Sequence, residues 1–212
     1  MKDLEINRIL ERYRARPYEI YRVETPHTGR INRLLVAEGQ QVFGPAGRWG
    51  ERPGTPLFEL ERERNVKVIR AQVEGTVTNL RQDLEGQFVE ANEYVLSIKH
   101  PLSREEVIDL VLKEVLYIIT APERAKYYFT SEIAQALEKG RANVSPGDEI
   151  LLMSFMKRET PIVYQGEPGV IFKVYFTINQ IVEQGEPLLG IAPEDQLPYI
   201  DKIISRIRSE WG

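Results

Sequence analysis

Two hydrophobic periods alternate along the chain, one helical and one extended. Asp3–Arg16 places Leu4, Ile9, Leu10 and Tyr13 along one helical side, and Pro17 stops it, which predicts an N-terminal helix within residues 1–17. From Tyr18 to Ile98 short apolar runs are cut by Gly, Pro and Asn, the pattern of β-structure. Ser103-Arg-Glu-Glu106 is a capping-box sequence, and Val107, Leu110, Val111 and Val115 follow it at helical spacing. A second helix is expected over about Ser131–Lys139, with Gly140 as its stop. Residues 100–140 are therefore expected to form a helical segment. Strand-like sequence returns from Val144 to Ile191. The end, Glu194–Trp211, sets Leu197, Ile200, Ile203, Ile204, Ile207 and Trp211 on one face of an amphipathic helix.

Within the extended regions one motif recurs. A Gly opens an apolar stretch, a turn residue comes about ten positions on, and apolar residues then fall at every third position. One copy runs Gly29-Arg-Ile31-Asn-Arg-Leu34, then Gly39 and Val42, and after an insertion Gly54, Leu57 and Leu60. Another runs Gly75-Thr-Val77-Thr-Asn-Leu80, then Gly86, Val89, Asn92, Val95 and Ile98. A third runs Gly169-Val-Ile171-Phe-Lys-Val174, then Asn179, Val182, Gly185, Leu188 and Ile191, and Val144, Gly147, Ile150 and Met153 form a partial copy. Gly and Asn suit the turn positions because both tolerate positive φ.

This pattern resembles the biotinyl/lipoyl-attachment domains. The resemblance covers residues 18–99 as a whole domain and residues 141–192 as most of a second. It implies a mainly β chain with helical additions, an α+β organisation of two barrel-sandwich modules. A helical segment at 100–140 would lie between them, and amphipathic helices at 1–17 and 193–212 would flank them. In that family a carrier lysine lies on the hairpin joining the two halves of a module, four residues beyond the last apolar position of the first half. In the first module that place falls on Arg64, with Lys67 out of register, so this module would carry nothing. In the second it falls on Lys157, and Met156-Lys157 matches the biotinyl motif. Around that pair the sequence departs from the family: Ser154 stands for Glu, Phe155 for a small Ala, and Arg158 for a second Met. The opening strand of this module is also missing from its expected place. Two readings of the pair stay open. Either Lys157 takes biotin or lipoyl, or it is a solvated hairpin lysine with Met156 as a core or edge residue.

Composition narrows the chemistry. The chain has 212 residues and no cysteine, which excludes disulfides, a thiol nucleophile and cysteine-ligated metal sites. Its two histidines, His27 and His100, cannot build a multi-histidine metal site. The formal net charge is −4, and no long block of like charge appears, so nucleic acid is not an expected partner. Residues 1–99 carry 16 basic and 15 acidic side chains; residues 100–212 carry 12 and 17. No apolar stretch approaches a membrane span, and the charged N-terminus is unlike a signal peptide, so a cytoplasmic protein with no membrane partner is expected.

The insertion Phe43–Gly54 is rich in Gly and Pro and carries Arg48, Trp49 and Arg52, residue types that dominate interaction hot spots. They are candidate partner contacts, or Trp49 folds back on its own module. The glycines match neither a P-loop nor a dinucleotide fingerprint. No catalytic constellation and no metal site can be assembled. The sequence therefore leads to a non-catalytic scaffold or adaptor acting through protein–protein contacts, with no cofactor. The alternative is a biotin carrier protein with covalent biotin on Lys157. A third reading is an adaptor of the membrane-fusion type, whose halves would be Val73–Ile98 and Val163–Ile191. The apolar face of the C-terminal helix points to a homodimer.

Overall fold

The computed structural model describes residues 2–47, 51–156 and 158–211; for residues 2–6 it describes the backbone alone. The chain divides into two compact units: a front unit, Leu10–Ser103, and a rear unit, Met1–Ile9 with Arg104–Gly212.

In the front unit, β1 (Tyr18–Glu24), β8 (Tyr94–Pro101), β6 (Gly75–Thr78) and β3 (Gln41–Val42) form one sheet in that order. A second sheet runs β5 (Asn65–Arg70), β4 (Pro56–Arg62), β2 (Gly29–Leu34), β7 (Phe88–Val89). The rear unit also holds two sheets. One runs β11 (Asn143–Val144), β14 (Gly169–Val174), β16 (Pro187–Ala192), β9 (Tyr117–Thr120), and the other β13 (Arg158–Val163), β12 (Glu149–Phe155), β10 (Ala125–Phe129), β15 (Ile181–Val182). Every strand pair is antiparallel. Counted from the first strand of each unit, the strand orders of the two units are the same. The helices are α1 (Lys2–Ala15), α2 (Arg104–Val115), α3 (Ser131–Glu138) and α4 (Leu197–Glu210).

This arrangement corrects the expected architecture. The chain does not set two barrel-sandwich modules on either side of a helical segment. Among the described residues, its strands make four small four-stranded antiparallel sheets. Residues 100–140 hold not only α2 and α3 but also β9 and β10, which are built into the rear sheets: Ile119 pairs with Leu189 and Tyr127 with Met153. Distant partners, not local sequence, decide the state of these strands.

Each unit buries its own core. In front, Ile31, Phe58, Leu60, Val77 and Leu96 are fully buried; in the rear, Tyr127, Ile150, Leu151, Leu188 and Leu189 are. Losing one such large side chain costs about 2–5 kcal/mol. The recurring glycines serve two purposes. Gly169 opens β14 against the facing strand, where a Cβ would sit 2.7 Å from the Ala192 carbonyl oxygen, so no larger residue fits. Asn179 takes a turn position at φ 71°, a left-handed conformation that asparagine tolerates. The apolar face of α4 is used inside the chain, with Leu197, Ile200, Ile203 and Ile207 buried and α2 packed beside it. Ile204 and Trp211, which the sequence sets on the same face, are half-buried.

Candidate functional site

The two units present corresponding hairpins. In front, β4 and β5 pair down to Arg62 opposite Asn65, leaving Glu63-Arg64 as the connection. Glu63 (φ 53°) and Arg64 (φ 66°) both take left-handed conformations, the signature of a type I′ turn, whose twist suits the flanking strands. Neither is Gly or Asn, so this tip stores strain of about 1–2 kcal/mol per residue.

In the rear, β12 and β13 pair from Phe155 opposite Arg158, so Met156-Lys157 is the connection in the sequence. Met156 also has positive φ, 46°. It is 81% exposed, and Phe155 beside it is 43% exposed. Met156 is thus not a core residue. Lys157 itself lies outside the described residues. The strand below the tip is anchored by its inward residues, Leu151 fully buried and Met153 packed partly against the core. A projecting tip on an anchored stem is a geometry that can present a side chain to an enzyme.

Below the tips the hairpins differ. In front, the row across the sheet reads Phe88, Arg30, Glu61, Val66; in the rear it reads Ile181, Lys126, Ser154, Glu159. Glu61 accepts a hydrogen bond from Asn32 Nδ2 at 2.7 Å. At the matching place, Ser154 offers no carboxylate. An open cleft of about 760 Å³ flanks the front stem, reached by Arg30, Glu61 and the exposed Phe88.

Of the other sequence candidates, Arg48 and Trp49 lie outside the described residues. Arg52 exchanges two backbone hydrogen bonds with Ala46, at 2.9 and 3.0 Å, which tie the ends of the inserted loop together. His100 is buried in β8, where its Nδ1 donates to the Glu74 carbonyl at 2.7 Å and its ring meets Tyr21 edge-on. His27 Nδ1 donates to the Thr28 carbonyl at 3.0 Å. Both contacts are structural. Among the described residues, no group of three or more His, Asp or Glu side chains is placed to hold a metal ion, and no helix is long and apolar enough to cross a membrane. Sequence reading missed the closed pair Tyr117 and Tyr164, whose rings meet at 5.8 Å. Their positions show no period that could have announced the contact.

No family model matches the chain, and no curated protein does. Among solved structures, the chain is similar to a single-chain, multi-domain long-chain acyl-CoA carboxylase at 13% identity, with a TM-score of 0.31. The match covers 88% of this chain and spans only 21% of that protein's length.

Proposed function

We propose that the chain is a non-catalytic protein that works through protein–protein contacts, with the rear unit acting as a carrier at Lys157 and the front unit as an adaptor. The observation that carries this reading is Met156, 81% exposed at positive φ immediately before that lysine. An exposed methionine on a two-residue connection gains nothing from the fold, since burying it would be worth about 1.5–3 kcal/mol. Recognition by a second protein gives it a purpose. The resemblance of Met156-Lys157 to the biotinyl motif makes a biotin-type modifying enzyme that protein.

A protruding tip fits a covalently held group, because the group needs an exposed amine and a rigid stem and no cavity. Lysine amines in water are protonated at neutral pH, so the acyl donor and the base both belong to the modifying enzyme. Biotin, when attached, supplies a site that accepts and gives up a carboxyl group. In front, Arg64 takes the corresponding place, and a guanidinium cannot form that amide, so this unit is left with contacts alone.

The test is intact mass, measured on the protein from its native cell and from a host with a biotin ligase, beside a Lys157→Arg variant. The expected result is a mass gain of one biotinyl or lipoyl group in the wild type and none in the variant. An unmodified native protein overturns the carrier assignment and leaves the adaptor reading alone.

A further inference from the structure

β1 is an edge strand of the front unit, and among the described residues no strand pairs with its outer side. Its register decides which backbone groups are left over. Leu102 N donates to the Pro17 carbonyl at 3.0 Å, so residues 17 and 102 form a bonded pair. Antiparallel ladders alternate bonded and unbonded pairs. Given Tyr18 opposite Pro101, Ile20 opposite Lys99 and Arg22 opposite Ser97, it is Tyr18, Ile20 and Arg22 whose N–H and C=O groups point away from β8. Edge strands of this kind are templates for a further strand.

The space beside that edge is open. A groove of about 530 Å³ lies between β1 and β5, itself an edge strand, with Val23, Val68, Ile69 and Val73 on its walls. The rear unit differs at this place. There Tyr164 follows the hairpin and meets Tyr117 of the first strand; in front, the corresponding position is Ala71. The match is fixed by hydrogen bonds, since Ala71 N donates to the Thr55 carbonyl and Tyr164 N to the Asp148 carbonyl, each acceptor just before the fourth strand of its unit.

Cations gather at the start of β1 and on its outer face, while its two carboxylates, Glu19 and Glu24, alternate with them and Glu24 is already paired with Arg22 at 3.2 Å. Tyr18 is flanked by Lys99, whose Nζ is 4.1 Å from the ring centroid, and by Arg16, whose guanidinium carbon is 5.3 Å from it. Lys67 lies on the groove wall. Among the described residues, no carboxylate lies within ion-pair distance of Arg16, Lys67 or Lys99. Ile20, 40% exposed, shares the outer face of the sheet with Lys99.

We propose that the free edge of β1 takes an extended acidic segment of a partner protein as an added strand. Side chains of such a strand alternate between faces. Those on the outer face meet Lys99 and Arg16, which calls for Asp or Glu. Those on the inner face enter the groove beside Val23 and Ile69, which calls for Val, Ile or Leu. Backbone pairing supplies affinity, and the alternation supplies specificity.

A labelled Glu-Val-Glu-Val-Glu-Val peptide, titrated into the full chain by fluorescence anisotropy, tests this. Ile20→Pro removes an outward N–H that β8 does not use, so the sheet keeps its bonds while the edge loses its central donor. The peptide is expected to bind saturably and to bind more weakly as salt is raised. It should lose at least about tenfold in affinity with Ile20→Pro, and the same with the paired Arg16→Glu, Lys99→Glu variant. The surface charge pair leaves the core untouched and decides the matter if the proline variant does not fold. Absence of saturable binding overturns the proposal. So does equal affinity of the proline variant, equal binding of a Lys-Val-Lys-Val-Lys-Val peptide, or binding of phosphatidylglycerol vesicles without any binding of the acidic peptide.

Discussion

The front and rear units share a strand order and differ in what covers it. In the rear, α2 lies on the outer face of the β9-containing sheet. A Cβ on Gly190 would sit 2.6 Å from Leu116 Cδ1, so the helix end approaches only because that position is glycine. Asp109 of the same helix accepts a hydrogen bond from Lys173 Nζ at 2.9 Å. In front, the corresponding position is Ser97: it pairs with Arg22 of the first strand as Gly190 pairs with Ile118. There the cover is a side chain, with Tyr94 Oη 2.8 Å from Ser97 Oγ and the Arg22 guanidinium carbon 4.9 Å from the Tyr94 ring. One glycine admits a helix; one serine holds an aromatic ring. The residue after the hairpin differs as well: in the rear Tyr164 meets Tyr117 of the first strand, and in front the buried Ala71 stands at that place. A common strand order thus fixes where surfaces lie, and single side chains decide which of them stay available to partners.

The largest effect is expected from removing the rear tyrosine. Tyr164 is only 2% exposed, and its hydroxyl donates to the Glu167 carbonyl at 2.6 Å. Tyr164→Ala should cost about 4 kcal/mol, read as faster hydrogen exchange at the amides of β12 and β13. A loss below about 1 kcal/mol would break the contrast with Ala71. A smaller effect is expected at the helix contact. Gly190→Val should cost about 3 kcal/mol by overpacking, and Leu116→Ala in the same chain should return about 1 kcal/mol of it. Ser97→Ala in front should cost only about 1 kcal/mol, because Tyr94 keeps its hydrogen bond to the Asn79 carbonyl. Equal costs at the two positions would dissolve the contrast.

How much of this could be read in the sequence depended on the range of the interactions. The hairpins were legible, since alternation and a two-residue break are local, and the paired strands β4/β5 and β12/β13 leave Glu63-Arg64 and Met156-Lys157 as their connections in the sequence. Helices α2, α3 and α4 were legible from caps and period. Strands β9 and β10 were not. Tyr117–Thr120 directly continues the apolar run of α2, and Ala125–Phe129 sits just ahead of α3, so each reads as part of its helical neighbour. Ala125, Tyr127 and Phe129 do alternate, but that signal is short, and the partners that make it a strand lie in β12 and β15. The free edge of β1 was equally hidden. It depends on β1 ending its sheet beside β8, a strand some seventy residues on in the chain, and no local pattern announces that.

The smallest effect sharpens the comparison from inside the rear cover. Tyr175 packs against Gly190 beneath α2, with the Lys113 Nζ 5.7 Å from its ring centroid. Its hydroxyl is buried without a hydrogen-bond partner among the described residues. Burial, and then the negative charge of Asp109, push its pKa up from the ordinary 10 to about 12. A raised pKa means that the native state holds its proton where the unfolded chain has lost it. The resulting stability is fully present below pH 10 and is lost as pH rises toward 12. Tyr175→Phe removes both the unpaired hydroxyl and the titration. It should leave the rear unit equally stable or about 1 kcal/mol more stable at pH 7, and should flatten the fall in melting temperature between pH 10 and 12. A variant that is less stable at pH 7 would mean that the hydroxyl has a partner, and that the cover is held by a hydrogen bond in the rear as it is in front.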